Sequence, residues 1–420
     1  MPWLETSPVQ QRKEFIEAVL RGEHSFSEQC RRFRISRKNG YKWWNRYLIE
    51  QATGREVSLS DRSRRPRRSP KKLELELEEK IVALRKQRPH WGPKKLRAVL
   101  VKQEPKNKWP SDSTFADVLR RNGLVKPRRK RSKVVPYTAP LAHATRPNAL
   151  WCIDFKGDFA VGRTRCYPLT VTDAYSRYII ACVALTSTQA EPARRSLERI
   201  FDEYGLPDAI RSDNGSPFSS KGVGGLSRLS VWWHKLDIHH ERIEPAHPEQ
   251  NGRHERMHLD LHRETASPPA ASISRQQRLL DQFRARFNFE RPHEALGQRT
   301  PSEFYEPSSR RLPEPKWGRQ CEYDYDDDVG RVSRLGYVTS RAGTFFLSTV
   351  LAYEPILFQW RDRNCARVIW HRLLLGDLRV ERKTKRVRFI PVEQVTPIDP
   401  YAEAEEDHEE HDQPVTHVSA

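Results

Sequence analysis

The stretch LWCIDFKGDFAV, residues 150–161, places an aspartate, Asp154, inside an apolar run that is rich in strand-forming residues. Alternation along a strand puts Cys152, Asp154 and Lys156 on the same side of it. Because strand interiors disfavour aspartate, Asp154 calls for a reason beyond folding. We interpret Asp154 as a functional residue, and Lys156, on the same side, as a contact for a phosphate group.

The sequence around this stretch predicts a mixed α/β domain over residues 146–305. Two more strand-like runs, RCYPLTVTDAYS and RYIIACVALT, are followed by a helix that ends at Gly205. A short strand then runs into Asp213, and a helix and a strand lead to the segment HPEQNGRHERMH at 247–258. Three strands in series, followed by alternating helices and strands, are typical of a sheet with helices on its faces.

The acidic side chains of this domain indicate phosphodiester chemistry with divalent metal ions. Such chemistry needs carboxylates a few ångströms apart, because the metal ions activate the attacking oxygen and stabilise the departing one. Asp213 ends a strand, where α/β sheets usually present ligand groups, although Asp213-Asn214-Gly215 is also an ordinary turn sequence. Two glutamates compete for the third position. Glu249 lies in a loop, whereas Glu255 lies within a helix, which holds a ligand more rigidly.

The charge of the chain, +20 at pH 7, favours a polyanionic partner, and nucleic acid is the commonest one. An anionic membrane surface is the rival partner. The sequence has no basic helix with a clean apolar face and no apolar run of about 18 residues, which argues against it. The six cysteines are scattered without a CxxC pair, which is typical of a reducing compartment and indicates no zinc finger.

Two basic helical domains are predicted before the α/β domain. Residues 8–51 read as three short helices with N-caps at Ser25 and Ser36, in a helix-turn-helix layout. The third helix is predicted to present a basic face to a DNA groove, with aromatic residues packed behind or beside it; this face comprises Arg37, Lys38, Lys42 and Arg46. A small helical bundle with a solvated basic face is the alternative. The second helix-turn-helix adds Lys94 and Lys95 as predicted DNA contacts.

Changes in composition set the domain boundaries. Turn sequences between strand-like runs predict a small β-barrel near the C-terminus, and the acidic composition of the last residues predicts a disordered tail. The predicted order is helix-turn-helix domain 1–54, basic linker 55–72, second helix-turn-helix domain 73–125, basic linker 126–145, α/β core 146–305, β-barrel 316–395 and acidic tail 396–420.

The motifs NALWCIDFKG, RSDNGSPF, HPEQNGRHERMH and FNFERPHEALGQRTPSEFY together resemble the integrase-type core of bacterial insertion-sequence transposases. These are DDE recombinases akin to retroviral integrases, so the resemblance implies a ribonuclease-H-like core. In that family the third carboxylate lies three residues after the glycine of P-x-x-N/Q-G-x-x-E-R, which matches Gly252, Glu255 and Arg256. The motif selects Glu255 over Glu249, although the 35 residues between Asp213 and Glu249 equal a spacing often quoted for the superfamily.

The resemblance covers residues 8–305, with Arg34 where a turn glycine is common and no His-His-Cys-Cys zinc module before the core. It implies a transposase whose helix-turn-helix domains bind the terminal repeats of a mobile element. Asp154, Asp213 and Glu255 would bind Mg²⁺ (or Mn²⁺) for hydrolysis at the element's end and attack of the freed 3′-hydroxyl on target DNA, with Arg256 near the DNA. A homo-oligomer on DNA, in the bacterial cytoplasm and associated with the nucleoid, is expected.

Two other functions stay open: a catalytically inactive DNA-binding regulator derived from a transposase, and a ribonuclease-H-like nuclease. Metal-dependent nicking would exclude the first, and strand joining would exclude the second. The helical stripe His254, His258 and His262 has a spacing that can bind zinc, but a polar helix face is the favoured interpretation. Asp173 is predicted to end a strand in a turn.

Overall fold

The computed structural model describes residues 7–54, 56–62, 73–125, 144–243, 252–319, 321–324, 327–381, 384 and 386–398. The chain forms two compact units, Met1–Leu73 and Glu74–Ala420. Most of both basic linkers, nearly all of the acidic tail and Glu249 lie outside the described residues. None of the described helices is long and apolar enough to cross a membrane.

The first unit is built from three helices, which are α1 (Pro8–Arg21), α2 (Phe26–Arg32) and α3 (Arg37–Ala52). The Ser25 and Ser36 hydroxyls accept hydrogen bonds from the backbone N–H groups of Glu28 and Asn39, so both predicted N-caps are present. Phe15, Cys30 and Trp43, one from each helix, form its core.

The close packing of α3 on the other two helices depends on a glycine. A Cβ atom at Gly40 would meet the Cys30 sulfur, Phe15 and Phe26. The turn before α3 holds Arg34 in the left-handed region, with φ of 53°. An L-residue adopts that conformation at a cost of roughly 1–2 kcal/mol, which explains why related turns favour glycine.

The second unit begins with another three-helix domain, formed by α4 (Leu75–Gln87), α5 (Pro93–Gln103) and α6 (Asp112–Arg121). Ile81, Leu96 and Phe115, one from each helix, are fully buried. Proline opens α5 because its missing N–H would be unsatisfied in the first turn of any helix.

The central sheet contains β1 (Leu150–Phe155), β2 (Phe159–Val161), β3 (Thr164–Asp173), β4 (Ile179–Leu185), β5 (Ala209–Ser212) and β6 (His239–Arg242). The strand order is β2-β3-β1-β5-β6, and β4 also pairs with β3. β1 is antiparallel to β3 and parallel to β5, and β5 is parallel to β6. The mixed sheet predicted from the sequence is therefore present.

Helices cover both faces of this sheet, and they are α7 (Ala190–Tyr204), α8 (Arg228–Lys235), α9 (Gly252–Thr265) and α10 (Ile273–Ala285). On one face, Trp151 and Ile153 of β1 belong to a core with residues of α7 and α8. A separate core joins β4 to α9 and α10 on the other face. Because side chains alternate along β1, Asp154 points away from Ile153, toward the face that α9 covers.

The segment after residue 305 is tied to the end of the central sheet. Its Arg310 guanidinium donates hydrogen bonds to the carbonyl oxygens of Pro207, Leu236 and Asp237, at 2.7, 3.0 and 2.9 Å. The Arg310 carbonyl accepts from the Leu206 N–H at 2.7 Å. This segment therefore completes the hydrogen bonding of the loops at the amino ends of β5 and β6.

The C-terminal domain contains β7 (Val329–Arg331), β8 (Tyr337–Ser340), β9 (Gly343–Phe346), β10 (Pro355–Trp360), β11 (Cys365–Trp370), β12 (Leu373–Val380) and β13 (Val387–Pro397). Five of these strands form an antiparallel sheet in the order β13-β12-β11-β10-β7, and β8 and β9 form a hairpin. The two edge strands do not pair with each other in the described part of the chain. The predicted β-rich C-terminal domain is therefore present, and its described strands form an open sheet and a hairpin, with no closed barrel among them.

Candidate active site

Asp154 and Asp213 lie at the carboxyl ends of two adjacent parallel strands. Cys152 of β1 is aligned with Arg211 of β5, and each aspartate lies two residues further along its strand. Neighbouring strands are about 4.8 Å apart, so the topology places the two acids side by side at one edge of the sheet. The Asp154 side chain is 17% exposed, and Asp213 is half-buried.

Asp213 also holds the turn that follows β5. Its Oδ1 accepts a hydrogen bond from the Gly215 N–H at 3.2 Å, and the Asn214 amide donates to the Ile243 carbonyl at 2.8 Å. The turn interpretation and the ligand interpretation of Asp213 are therefore compatible. The same contacts fix the turn against β6 and limit the positions that the Asp213 carboxylate can take.

Helix α9 packs on the sheet face that carries Asp154. The Nδ1 atom of its His258 lies 3.8 Å from Asp154 Oδ2. Glu255 lies nearly one turn before His258 and is exposed, as is Arg256. Residues three apart share a helix face, so Glu255 emerges on the side of α9 that borders Asp154.

A buried polar network lies under this edge of the sheet. Thr170 is the β3 residue aligned with Asp154, and its Oγ1 lies 3.0 Å from the Asp154 carbonyl oxygen. The same hydroxyl lies 2.6 Å from Nε2 of His254 and 2.7 Å from Nε2 of His258. Burial lowers the pKa of His254 to about 3 and that of His258 to about 2, so both imidazoles are neutral at pH 7.

The histidine stripe of α9 therefore divides into two parts. His254 and His258 are buried against β3, so the favoured interpretation of a polar helix face was wrong for them. His262 is exposed, and its ring meets the edge of Phe159 at 6.4 Å. The strand alignment that brings Thr170 to these histidines cannot be read from the sequence, and sequence reasoning missed Thr170.

Asp173 is a structural acid at the end of β3. Its carboxylate accepts hydrogen bonds from the Asn148 N–H at 2.8 Å and from the N–H and hydroxyl of Ser176 at 2.7 and 2.5 Å. Burial raises the pKa of this carboxyl, while the same hydrogen bonds oppose the rise. The prediction that Asp173 ends a strand in a turn is confirmed.

Family models match most of the described chain. A model of the integrase core domain matches residues 144–248, a second integrase core model matches 236–301, and a homeodomain-like model matches 39–119. An uncharacterised protein of insertion element IS407 from Burkholderia multivorans is 27% identical over 227 residues, which are 54% of this chain and 79% of that protein. The chain carries an integrase core domain over residues 144–301, and these matches support an insertion-sequence transposase of the DDE integrase superfamily.

Further relatives match parts of this chain. An uncharacterised protein of insertion element IS476 from Xanthomonas euvesicatoria is 27% identical over 181 residues, which are 43% of this chain and 51% of that protein. The Pol polyprotein of feline endogenous virus ECE1 is 35% identical over 120 residues, 28% of this chain and 10% of the polyprotein. The chain thus spans about half of the Xanthomonas protein and a small part of the viral one.

Two of the solved structures with a likeness to this chain are of viral proteins. A chain of the simian T-cell lymphotropic virus intasome gives a TM-score of 0.35 at 15% identity, covering 76% of this chain and 98% of that one. The HTLV-2 integrase catalytic core domain in complex with magnesium gives 0.31 at 14% identity, covering 39% of this chain and 99% of that domain.

The predicted DNA contacts of helix α3 fall into two groups. Arg37, Lys38 and Lys42 are exposed. The Arg46 side chain is only 14% exposed, and it donates hydrogen bonds to Glu50 Oε1 at 3.0 Å and to the Ser60 carbonyl at 2.7 Å. Because its guanidinium is occupied within the first unit, Arg46 stabilises the fold there, and we remove it from the predicted DNA contacts.

The predicted DNA contacts of helix α5 turn toward the integrase core. Lys94 is exposed, but its Nζ lies 2.5 Å from Glu294 Oε1. Lys95 is half-buried, and burial, helped by the positive charge of Arg291, lowers its pKa to about 8. Both lysines are therefore engaged by the core, which makes them weaker candidates for DNA contacts than the α3 residues.

The structure gives Lys156 and Arg256 different surroundings. Lys156 is half-buried, and its positive charge contributes to the low pKa of His258, so it lies near the Asp154 side of α9. Arg256 is 60% exposed and lies 4.0 Å from Asp260.

Proposed function

We propose that this protein binds the terminal repeats of a mobile element and catalyses metal-dependent DNA cleavage and strand transfer. The observation that carries the proposal is the juxtaposition of Asp154 and Asp213 on adjacent parallel strands, with Glu255 on the helix that packs beside Asp154. The integrase core is that of a polynucleotidyl-transferase-type enzyme, and the matches to its family models span all three acids.

The carboxylate groups at this edge of the sheet are suitable ligands for Mg²⁺, and also for Mn²⁺. Carboxylate oxygens are the ligands that both cations take, and Asp154, Asp213 and Glu255 would supply them. When bound, the ions lower the pKa of the attacking water or 3′-hydroxyl and stabilise the departing oxygen. No protein nucleophile is required, and neither is a covalent protein–DNA intermediate.

The remaining residues of the edge hold the DNA and the acids in place. Lys156 and Arg256 would bind backbone phosphates on either side of the reacting one. The turn around Asp213 keeps its carboxylate oriented through the Gly215 N–H. Thr170, with its contacts to both β1 and α9, would keep the strand of Asp154 and the helix of Glu255 at a fixed separation.

The other domains would deliver the DNA. The exposed cations of α3 suit binding to a DNA groove; Lys42 lies within the homeodomain-like match at 39–119, and Arg37 and Lys38 directly precede it. The C-terminal hairpin lies beside both edges of its sheet, with Gly330 against Thr339 and Gly343 against Val387, which supports a barrel-like domain. Two element ends must react together, so a homo-oligomer on target DNA of the bacterial nucleoid is proposed.

The test compares Asp154→Asn, Asp213→Asn and Glu255→Gln with Glu249→Gln as the matched control. Substrates are DNA duplexes that carry an element end, and cleavage and strand joining are measured separately with Mg²⁺. We expect each of the three variants to lose at least about 1,000-fold in cleavage, since each removes several kcal/mol of metal-dependent stabilisation. The control variant should keep full cleavage.

Each other outcome selects a different function. Loss of cleavage with Glu249→Gln but not with Glu255→Gln would refute the assignment of the third acid. Cleavage without joining would identify a nuclease. Specific binding of end-bearing DNA without either reaction, in the unmodified protein, would identify a regulator.

A further inference from the structure

The Thr170 hydroxyl has more partners than it has protons. A hydroxyl offers one proton and two lone pairs. Its three partners are the Asp154 carbonyl oxygen and the Nε2 atoms of His254 and His258, at 3.0, 2.6 and 2.7 Å. A carbonyl can only accept, so all three contacts are satisfied together in one way: Thr170 donates to Asp154, and both imidazoles donate from Nε2.

This arrangement makes Nδ1 of each histidine an acceptor. Both rings are buried, and a neutral imidazole that donates from Nε2 keeps a lone pair on Nδ1. The Thr172 hydroxyl, 3.3 Å away, can donate to Nδ1 of His254. Nδ1 of His258 faces the carboxylate oxygen Oδ2 of Asp154 at 3.8 Å.

Nδ1 of His258 and Oδ2 of Asp154 are both electron-pair donors, and they face each other across a short gap. This gap lies at the edge of the sheet that carries Asp154 and Asp213. Zinc–nitrogen bonds of about 2.0–2.1 Å and zinc–oxygen bonds of about 2.0–2.2 Å together span at most about 4.3 Å, so a cation of this kind can bridge the gap. Ligand atoms of Asp154, His254 and His258 all lie within 4.8 Å of one another. His254 already has partners on both ring nitrogens, which leaves His258 as the histidine ligand.

We propose that Nδ1 of His258 is a ligand of the metal ion that Asp154 binds, and that this nitrogen makes the site prefer a transition metal such as Mn²⁺ to Mg²⁺. The inference rests on the proposed function in one respect, the binding of metal by Asp154. Imidazole is a ligand of transition metals, whereas Mg²⁺ takes oxygen ligands almost exclusively. His254 and Thr170 are positioning residues that fix the orientation of the His258 ring.

The test uses the full chain with Mn²⁺ alone as the probe. Pulsed electron paramagnetic resonance detects nitrogen that is bonded directly to Mn²⁺, and labelling the unmodified protein with ¹⁵N-histidine should change the nitrogen signal from ¹⁴N to ¹⁵N. This readout needs neither activity nor a substitution. Absence of a histidine nitrogen signal from bound Mn²⁺ would overturn the inference.

Variants then assign the nitrogen. His258→Gln keeps an N–H near the position of Nε2, and so keeps the Thr170 contact, but it offers no acceptor at the position of Nδ1. We expect it to lose the nitrogen signal and to weaken Mn²⁺ binding at least about tenfold, with little change in Mg²⁺ binding. His262→Gln, on the exposed side of the same helix, is the matched control and should retain both. A signal that persists in His258→Gln would also overturn the inference.

Asp154→Asn separates this inference from the proposed function. If Asp154→Asn leaves Mn²⁺ binding unchanged, the proposed metal site itself fails. If it abolishes Mn²⁺ binding but the unmodified protein shows no histidine nitrogen, only the role of His258 fails.

Discussion

Helices α3 and α5 carry similar runs of basic residues in the sequence. In the structure, the basic residues of α3 are exposed to solvent, whereas those of α5 face another domain. Arg37, Lys38 and Lys42 of α3 are exposed. Lys94 and Lys95 of α5 meet acidic or buried partners in the integrase core. A run of cations thus predicts a charged helix face, but it does not predict whether the partner is DNA or another domain of the same chain.

The contact between the second helical domain and the core is apolar at its centre. Trp91 is 4% exposed and lines a small cavity with Phe283 and Phe287 of the core. Ion pairs surround it: Arg88 with Glu290 at 2.6 Å, Lys94 with Glu294 at 2.5 Å and Lys102 with Glu303 at 3.4 Å. Exposed ion pairs contribute about 0–1 kcal/mol each, so Trp91 supplies most of the stabilisation.

The largest expected effect is on this contact. Trp91→Ala should lower the free energy of unfolding by about 3–5 kcal/mol, because it removes a large buried ring from a packed site. Denaturant unfolding of the full chain, with helix content as the signal, measures the loss. Trp317→Ala is the control, since that ring is 58% exposed and its removal should cost little. A loss below about 1 kcal/mol for Trp91→Ala would mean that the ion pairs hold the domain.

The second prediction compares the contributions of helices α3 and α5 to DNA affinity. Replacing Arg37, Lys38 and Lys42 with alanine should lower DNA affinity by about two orders of magnitude at 0.1 M salt and make the slope of log K against log salt about 3 less steep. The matched triple variant replaces Lys94, Lys95 and Lys102 and should change both quantities much less. Binding titrations over a range of salt concentrations measure them. Equal losses for the two variants would remove the distinction between α3 and α5.

The smallest expected effect is in the turn before α3. Arg34→Gly should raise the free energy of unfolding of the first unit by about 1 kcal/mol, because glycine adopts a left-handed φ without the Cβ penalty. Arg34→Ala keeps the Cβ atom and should give no gain. Thermal unfolding of both variants tests the pair. A gain with alanine equal to that with glycine would show that the arginine side chain, and not the backbone, is unfavourable there.

Local patterns predicted the parts of the fold that depend on near neighbours in sequence. The caps at Ser25 and Ser36 and the strand that ends at Asp213 follow from short sequence signals, and the structure has them. These features depend on residues a few positions apart, and turn chemistry and periodicity describe such relations well.

Features that depend on distant pairing were not predictable. The alignment of Thr170 with Asp154, and the burial of His254 and His258 against it, follow from the pairing of β3 with β1, which a helical stripe of histidines does not indicate. Arg46 looks like a DNA contact in sequence because one of its partners, the Ser60 carbonyl, is brought to it only when the chain after α3 folds back. Its other partner, Glu50, lies four residues later on the same helix. The open C-terminal sheet depends likewise on which strand edges meet.

The hydrogen bonds of Arg310 determine where a fragment of this chain can be cut. Its guanidinium satisfies the carbonyl groups of Pro207, Leu236 and Asp237, and its own carbonyl is matched to Leu206. A fragment cut where the match to the integrase core model ends, at residue 301, would leave these groups without their partners. Fragments for crystallisation or titration should therefore extend past Arg310, so that the loops before β5 and β6 keep their hydrogen-bond partners.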